Sequence, residues 1–423
     1  MKTHIVLAFS AWLLLVSFDD FGQSYQCTIT GKVVDRGSNQ LLFAKETEDL
    51  RGESVLIPIV DSKFEYQFEF DHPEAYQLVF EEEHDQGLWN TITFFPVPGE
   101  IKMILYSEEK FEKNTVEGSP FTNEYHEFIK TANSKFDTNR SQIYQQLEEL
   151  EEKGKFYSDT AQVLWQALEK ADASEQPALS KKLRDLQVDH SDKSAPAKVL
   201  ALQLDSIAEE YYNFRYEYIE SHPSPMSYFL LFQDATRIDK IPLEEFKLRK
   251  AYHELSGEMP EHPYTAMVGQ MLESHQAIKV GSEFIDFEAQ DLDGNLVKVS
   301  SLMDGKFVLL DLWASWCGPC IKKSRTMIPI YEKYKNKSFT VVGVAREFND
   351  QQKLLRALER EKFPWTNLVE LDDRDAVRLK YNIPFSGGGV FLIDPAGKIL
   401  AVNPDAREVE NIIKGKLLSS TYK

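Results

Sequence analysis

The spacing of hydrophobic positions changes character twice along the chain. From Thr28 to about Tyr106 it alternates: Phe64, Tyr66, Phe68 and Phe70 share one face, and Glu65, Gln67 and Glu69 the other, as in a half-buried strand. Ile29, Val33 and the runs Val55 to Val60, Tyr76 to Phe80, Thr91 to Val97 and Ile101 to Leu105 predict further strands. Turn signals at Gly31, Gly37, Asn39, Pro73, Gly87 and Gly99 separate them. The pattern predicts a small antiparallel β-sandwich with the acidic run Glu81 to Asp85 in a solvated turn at its tip. Adjacent carboxylates in such a turn rarely converge on a metal.

From Pro120 to about Ala277 the steps become threes and fours. Leu200, Leu204, Ile207, Tyr211, Phe214 and Tyr218 fall on one face, as do Ile143, Leu147 and Leu150, which predicts amphipathic helices. An aromatic stripe at this spacing reads as core rather than as a peptide groove. "SHPSPMS" interrupts the pattern at Pro223 and Pro225, ending one helix before Ser227, where another can begin.

From Gly281 strands and helices alternate. "FEAQDLDGNLVKVSSL" predicts a hairpin about Asp293 and Gly294. "KFVLLDLWA" is a continuous apolar run, as a central strand covered on both faces requires. Helix over 321–334, strand in "FTVVGVA", helix over 350–362, strand in "GVFLID" and helix over 408–418 complete an α/β layer fold. A chain of 423 residues exceeds one core of about 100–200 residues. The expected division is a leader at 1–24, a β-sandwich at 25–110, a helical region at 111–277 and the α/β domain at 278–423.

Charge excludes some functions. Lys plus Arg total 48 against 68 Asp plus Glu, a net charge of −20, which argues against a nucleic-acid groove or a site for anionic lipid. Lys2 and His4 precede the apolar run Ile5 to Phe18, too short to span a bilayer and suited to a secretory leader, with small residues Gly22 and Ser24 before the cut. Tyr25 and Gln26 do not suit lipid attachment at Cys27. No later run reaches bilayer length. The expectation is a soluble periplasmic or otherwise extracytoplasmic protein with no stable membrane insertion after leader removal.

Candidate chemistry concentrates in "DLWASWCGPC", Asp311 to Cys320. Two of three cysteines stand where a buried strand gives way to a helix. Cys317 then lies at the helix N-terminus, near unpaired N–H groups and the positive dipole end, a setting that favours thiolate. Cys320, one turn on, can attack a mixed disulfide formed at Cys317. Pro319 suits a first helical turn, Gly318 lets a substrate backbone approach, and Trp313 and Trp316 supply apolar cover. Asp311 points into an apolar layer, where its pKa should rise and let it exchange a proton with Cys320, unless it pairs with Lys306. A zinc site lacks a second pair, since Cys27 is remote and no H-x-x-x-H occurs. An inert structural disulfide remains open as an alternative. No metal and no cofactor beyond the cysteine pair is expected.

These residues carry a resemblance. "WASWCGPC" preceded by "VLLDL", with "FIDFEAQDLDGNLVKVSSL" upstream and "GVFLIDPAGKIL" downstream, resembles the TlpA/ResA family of extracytoplasmic thiol:disulfide oxidoreductases. The preceding regions resemble the N-terminal extension of exported Bacteroidetes members. The resemblance implies a thioredoxin-like fold at the C-terminus, with Cys317 as nucleophile, Cys320 as resolving cysteine and Asp311 as buried proton acceptor. It also implies substrate contacts at Trp316, Gly318, Pro319, Gly387 and Gly388. Relatives place a cis-proline three residues before the phenylalanine of "FLID"; here Gly388 stands there, inside "SGGG". Either Pro384 replaces it through a rearranged loop, or the loop is flexible. Arg325 replaces the proline that kinks the relatives' active-site helix, so Pro329 is expected to carry the kink. The implied activity is reduction of protein disulfides, fed by a membrane-bound electron donor. The alternatives are a scaffold with a degenerate thioredoxin-like domain and a thiol peroxidase of peroxiredoxin type.

Overall fold

The computed structural model describes residues 24–420 apart from 53, 89, 172–174 and 384–386. The expected leader, except Ser24, and Pro384 lie outside the described residues. The region forms eight strands, half-buried in alternation in β4 and β7 but buried on both faces in β2 and β5: β1 (Tyr25–Val34), β2 (Gln40–Lys45), β3 (Val55–Pro58), β4 (Lys63–Phe70), β5 (Tyr76–Phe80), β6 (Ile92–Phe94), β7 (Gly99–Tyr106) and β8 (Thr115–Glu117). They form two four-stranded sheets, β4–β1–β7–β8 and β3–β2–β5–β6. Between the sheets Phe43, Phe68, Tyr76 and Phe94 pack with ring centroids 4.8 to 6.5 Å apart.

Three expectations here are corrected. The sandwich is not wholly antiparallel, because β1 pairs in parallel with β7; the chain passes through the other sheet between them, the crossover that parallel neighbours require. Gly31 lies inside β1, opposite Phe64, where a Cβ would sit 2.3 Å from the phenylalanine ring. The acidic run is a one-turn helix, α1 (Glu81–Asp85), not a solvated turn. Arg36 reaches Glu82 at 2.9 Å and buried Glu83 at 2.6 Å, supplying the cation that a buried carboxylate requires.

The next region forms α2 (Pro120–Glu152), α3 (Asp159–Lys170), α4 (Gln176–Gln187), α5 (Ala195–Ser221), α6 (Pro225–Ala235), α7 (Glu245–Glu258) and α8 (Pro263–Ala277). Ser119, Ser158, Ser194 and Ser224 each accept a first-turn N–H of α2, α3, α5 and α6. Proline in the first turn of three of these helices adds its preset φ. That cap starts α6 at Pro225, two residues before the position expected. The aromatic stripe packs inward: half-buried Phe214 and Tyr218 lie against buried Phe128 with ring centroids 5.7 and 4.9 Å away and Tyr211 against Phe136 at 5.8 Å, while Tyr216, off that stripe, is itself buried in the core cluster. Ala75 and Phe95 of the sandwich belong to the same cluster. The Ala75 N–H donates to Tyr264 Oη and the Phe95 N–H to Thr122 Oγ1, each at 2.9 Å.

The last region comprises β9 (Glu288–Gln290), β10 (Leu296–Lys298), β11 (Phe307–Trp313), α9 (Gly318–Tyr334), β12 (Phe339–Glu347), α10 (Gln352–Glu361), β13 (Thr366–Leu371), α11 (Val377–Lys380), β14 (Gly389–Ile393), β15 (Ile399–Val402) and α12 (Ala406–Ser420). β9 and β10 pair as the expected hairpin; β13 and β15 had no clear signal. The sheet runs β10–β9–β13–β12–β11–β14–β15. β11 is parallel to β12 and antiparallel to β14. Ile321, Leu354 and Val409 bring α9, α10 and α12 onto one face, and Phe287, Val299 and Val377 cover the other. Both faces are covered by apolar side chains, which is why the central strand reads as apolar sequence interrupted only by Asp311. This is the expected thioredoxin-like layer.

Candidate active site

β11 ends at Trp313, and its neighbours β12 and β14 lie on opposite sides. The chain leaving it therefore enters a crevice beyond the carboxyl end of the strand, the usual ligand position in α/β sheets. Cys317 caps α9 with extended φ and ψ of −86° and 90°, and its Sγ accepts the Cys320 N–H at 3.3 Å. The two Cα atoms are 5.3 Å apart and the sulfurs are joined in a disulfide. Cys317 is 5% exposed, while Gly318 and Pro319 stand on the open rim. α9 runs on through Pro329.

Asp311 is buried beneath the pair. Lys306, its alternative partner, binds Asp304 at 3.3 Å, and Asp311 Oδ2 accepts instead from Ser324 Oγ at 2.5 Å. Burial pushes its pKa up to about 6, with the Ser324 hydrogen bond and the nearby Lys323 charge opposing. The anion is thus disfavoured in the folded protein, so the destabilising contribution is absent below the ordinary value of 3.8 and complete above about 6. A difference of this size corresponds to about 3 kcal/mol. Asp311→Asn, which keeps an acceptor for Ser324, is expected to raise stability over wild type by up to that amount at pH 7 and little at pH 4. Urea unfolding at both pH values checks it; equal gains would contradict the assignment.

Register brings the glycine loop to the same place. Gly389 pairs with Leu312, so Gly387 and Gly388 join Asp311, Cys317, Pro319, Cys320 and Lys323 around a cleft of about 260 Å³. A Cβ at Gly388 would lie 2.3 Å from the Leu312 carbonyl oxygen and 2.9 Å from Cys320 Sγ. The backbone therefore touches the second cysteine at a distance no side chain permits. Trp316 is half-buried, whereas Trp313 is not cover but core, packed edge-on against Phe363 at 5.3 Å.

Two neighbours of the motif escaped sequence reasoning. Glu347, at the end of β12, accepts the Ser315 N–H and Ser315 Oγ, both at 2.8 Å, and so clamps the turn ahead of Cys317. Burial holds its pKa above the ordinary range, against those two bonds. A carboxylate closing the apolar run "FTVVGVARE" was the available signal. Arg51, from the sandwich, lies with its guanidinium carbon 3.5 Å from the Trp316 ring centroid, and nothing local marked it. Cys27 is free and fully buried in the sandwich core, where burial, opposed by a backbone hydrogen bond from Val97, pushes its thiol up to about 11. It is placed as a small apolar core residue.

Residues 280–402 match the AhpC/TSA family. The thiol-disulfide oxidoreductase ResA of Geobacillus kaustophilus is 31% identical over 137 residues, 32% of this chain and 75% of the relative. ResA of Oceanobacillus iheyensis is 27% identical over 160 residues, 36% of this chain and 73% of the relative. The solved thioredoxin domain of a thiol-disulfide oxidoreductase from Bacteroides vulgatus is 28% identical, covering 33% of this chain and 98% of its own, with a TM-score of 0.30. A cysteine pair capping a helix at the end of a thioredoxin-like central strand, above a buried carboxyl group, defines a thiol:disulfide oxidoreductase. The chain belongs to the TlpA/ResA-like family of these enzymes, and its C-terminal third carries the match.

Proposed function

We propose that this enzyme reduces protein disulfides outside the cytoplasm through Cys317 and Cys320. The observation that carries the reading is the convergence of both cysteines, Asp311 and the Gly387–Gly388 backbone on one cleft. The Cys317 thiolate attacks a substrate S–S bond, forming a mixed disulfide and releasing one substrate thiolate. The Cys320 thiolate then attacks Cys317 Sγ, closing the Cys317–Cys320 disulfide and releasing the second. Asp311, with a pKa near 6, takes the Cys320 proton in this step. Substrate gains two electrons and two protons, and a thiol donor at the membrane restores the dithiol. Trp316, Gly318, Pro319, Gly387 and Gly388 form the docking rim, the glycine backbone offering hydrogen bonds to an extended substrate. Export is supported by the leader-like first residues, and no described helix is long and apolar enough to cross a membrane.

Gly318 and Pro319 between the cysteines favour reduction over oxidation. A dithiothreitol titration followed by Trp313 and Trp316 fluorescence is expected to show a reversible two-electron transition near or below roughly −250 mV. A midpoint near about −120 mV would make the protein an oxidase. No reversible transition would favour the scaffold reading. The AhpC/TSA match supports a peroxidase as a second reading, and Cys317-dependent peroxide consumption faster than disulfide reduction would establish it.

A further inference from the structure

The N-terminal sandwich reaches the rim of the cysteine site. After β2 the chain turns through Asp49, which is 7% exposed. Its carboxylate accepts from Arg51 Nε at 2.8 Å and Nη2 at 2.9 Å, and from Arg346 Nη1 of β12 at 3.0 Å. Arg346 in turn donates from Nε to Asp373 at 2.6 Å. Gly52 lies against Phe348, just beyond β12, where a Cβ would be 2.3 Å from the ring. The sandwich thus approaches the thioredoxin-like domain without intervening space at this point. A guanidinium bound by both arms to a buried, fully engaged carboxylate has little freedom to rotate.

Arg51 spends its flat face on Trp316, the residue before Cys317. The Trp316 indole N–H is buried without a hydrogen-bond partner, so no directional polar contact places that ring, and the stacked guanidinium does. Arg51 also borders a cleft of about 350 Å³ between sandwich and helical region, lined further by Glu46, Phe229 and Arg237. One side chain therefore joins the redox rim to a second concavity that the C-terminal domain alone does not possess.

We infer that Arg51 is a positioning residue for the disulfide exchange: it holds Trp316 as a fixed wall beside Cys317, making the substrate-docking surface a joint product of the sandwich and the thioredoxin-like domain. The substrate half of this inference rests on the reductase reading above. Small disulfides need only the cysteine pair and are indifferent to the wall; a protein disulfide must seat its flanks against it.

The test uses the full chain with Arg51→Ala and Arg51→Lys, each with and without Trp316→Phe. Insulin and oxidised glutathione serve as large and small disulfides under a dithiothreitol supply. Arg51→Ala is expected to raise the KM for insulin about fivefold, as loss of a partly exposed cation–π contact implies. The kcat should stay within about twofold and glutathione reduction should be unchanged. Arg51→Lys should recover only part of the loss, since an ammonium lacks the planar face. Independently of turnover, Arg51→Ala should shift Trp316 emission to the red, and the shift should vanish in the Trp316→Phe background. An unchanged insulin KM, or equal losses on both disulfides, overturns the inference. If wild type reduces neither disulfide the reductase reading fails, and the Trp316 emission difference alone decides whether Arg51 positions the ring. If Arg51→Ala does not fold, Arg51→Lys, which keeps a cation for Asp49, carries the same comparisons.

Discussion

Replacing Cys320 with serine is expected to turn the catalyst into a trap. Cys317 retains its place at the helix N-terminus, so it still opens a substrate disulfide, but nothing resolves the product. The mixed disulfide should accumulate in a one-to-one ratio and be visible on a non-reducing gel as a species that dithiothreitol collapses. Cys317→Ser removes the attacking sulfur itself and is expected to lower insulin reduction by a factor on the order of 10³ or more. The third cysteine cannot substitute: Cys27 is sealed in the core of the sandwich with its thiol pushed up to about 11. A Cys317→Ser protein that kept the wild-type rate would end the assignment, and a Cys320→Ser protein that turned over without trapping would move the resolving step to another thiol.

Gly388→Ala is expected to harm both stability and turnover. The added methyl would meet the Leu312 carbonyl oxygen at 2.3 Å and Cys320 Sγ at 2.9 Å. The first is backbone in the central strand, held on one side by β12 and on the other by β14, so it is the glycine loop that must withdraw. Overpacking of this kind costs about 1–3 kcal/mol, and a withdrawn loop no longer presents its backbone beside the cysteines. Gly318→Ala is the internal control, since a Cβ there meets nothing within 4 Å. Urea unfolding and insulin reduction should separate the two: loss on both measures for Gly388→Ala, near-wild-type stability for Gly318→Ala. Equal behaviour would mean that the loop yields freely and that its contact with Cys320 has no functional weight.

The strand alternation around Phe64 to Phe70 identified the sandwich, yet it said nothing of which strands adjoin, and the parallel β1–β7 pair followed from a crossover through the other sheet. The acidic run from Glu81 looked solvated because charge runs usually are; Arg36, far off in sequence, changed its environment. Trp313 and Trp316 looked alike in the motif, but the first belongs to the strand and faces Phe363 while the second belongs to the turn and faces Arg51. Gly388 was recognised as a departure from relatives, but the reason a side chain is unwelcome there lies in the Leu312–Gly389 register.

Local physics made the cysteine pair readable in advance. A buried strand running into a helix places Cys317 at a cap and Cys320 one turn on, whatever the rest of the fold does, and the apolar residues on either side of Asp311 in β11 carry it into a buried layer. Those conclusions need only hydrogen bonding and periodicity within a few residues. The clamp of Glu347 on Ser315, the stacking of Arg51 on Trp316 and the contact of Gly388 with Cys320 join segments distant in the chain. Periodicity records that a face is covered but not what covers it, so these partnerships were decided only when sheet order and domain packing brought their ends together.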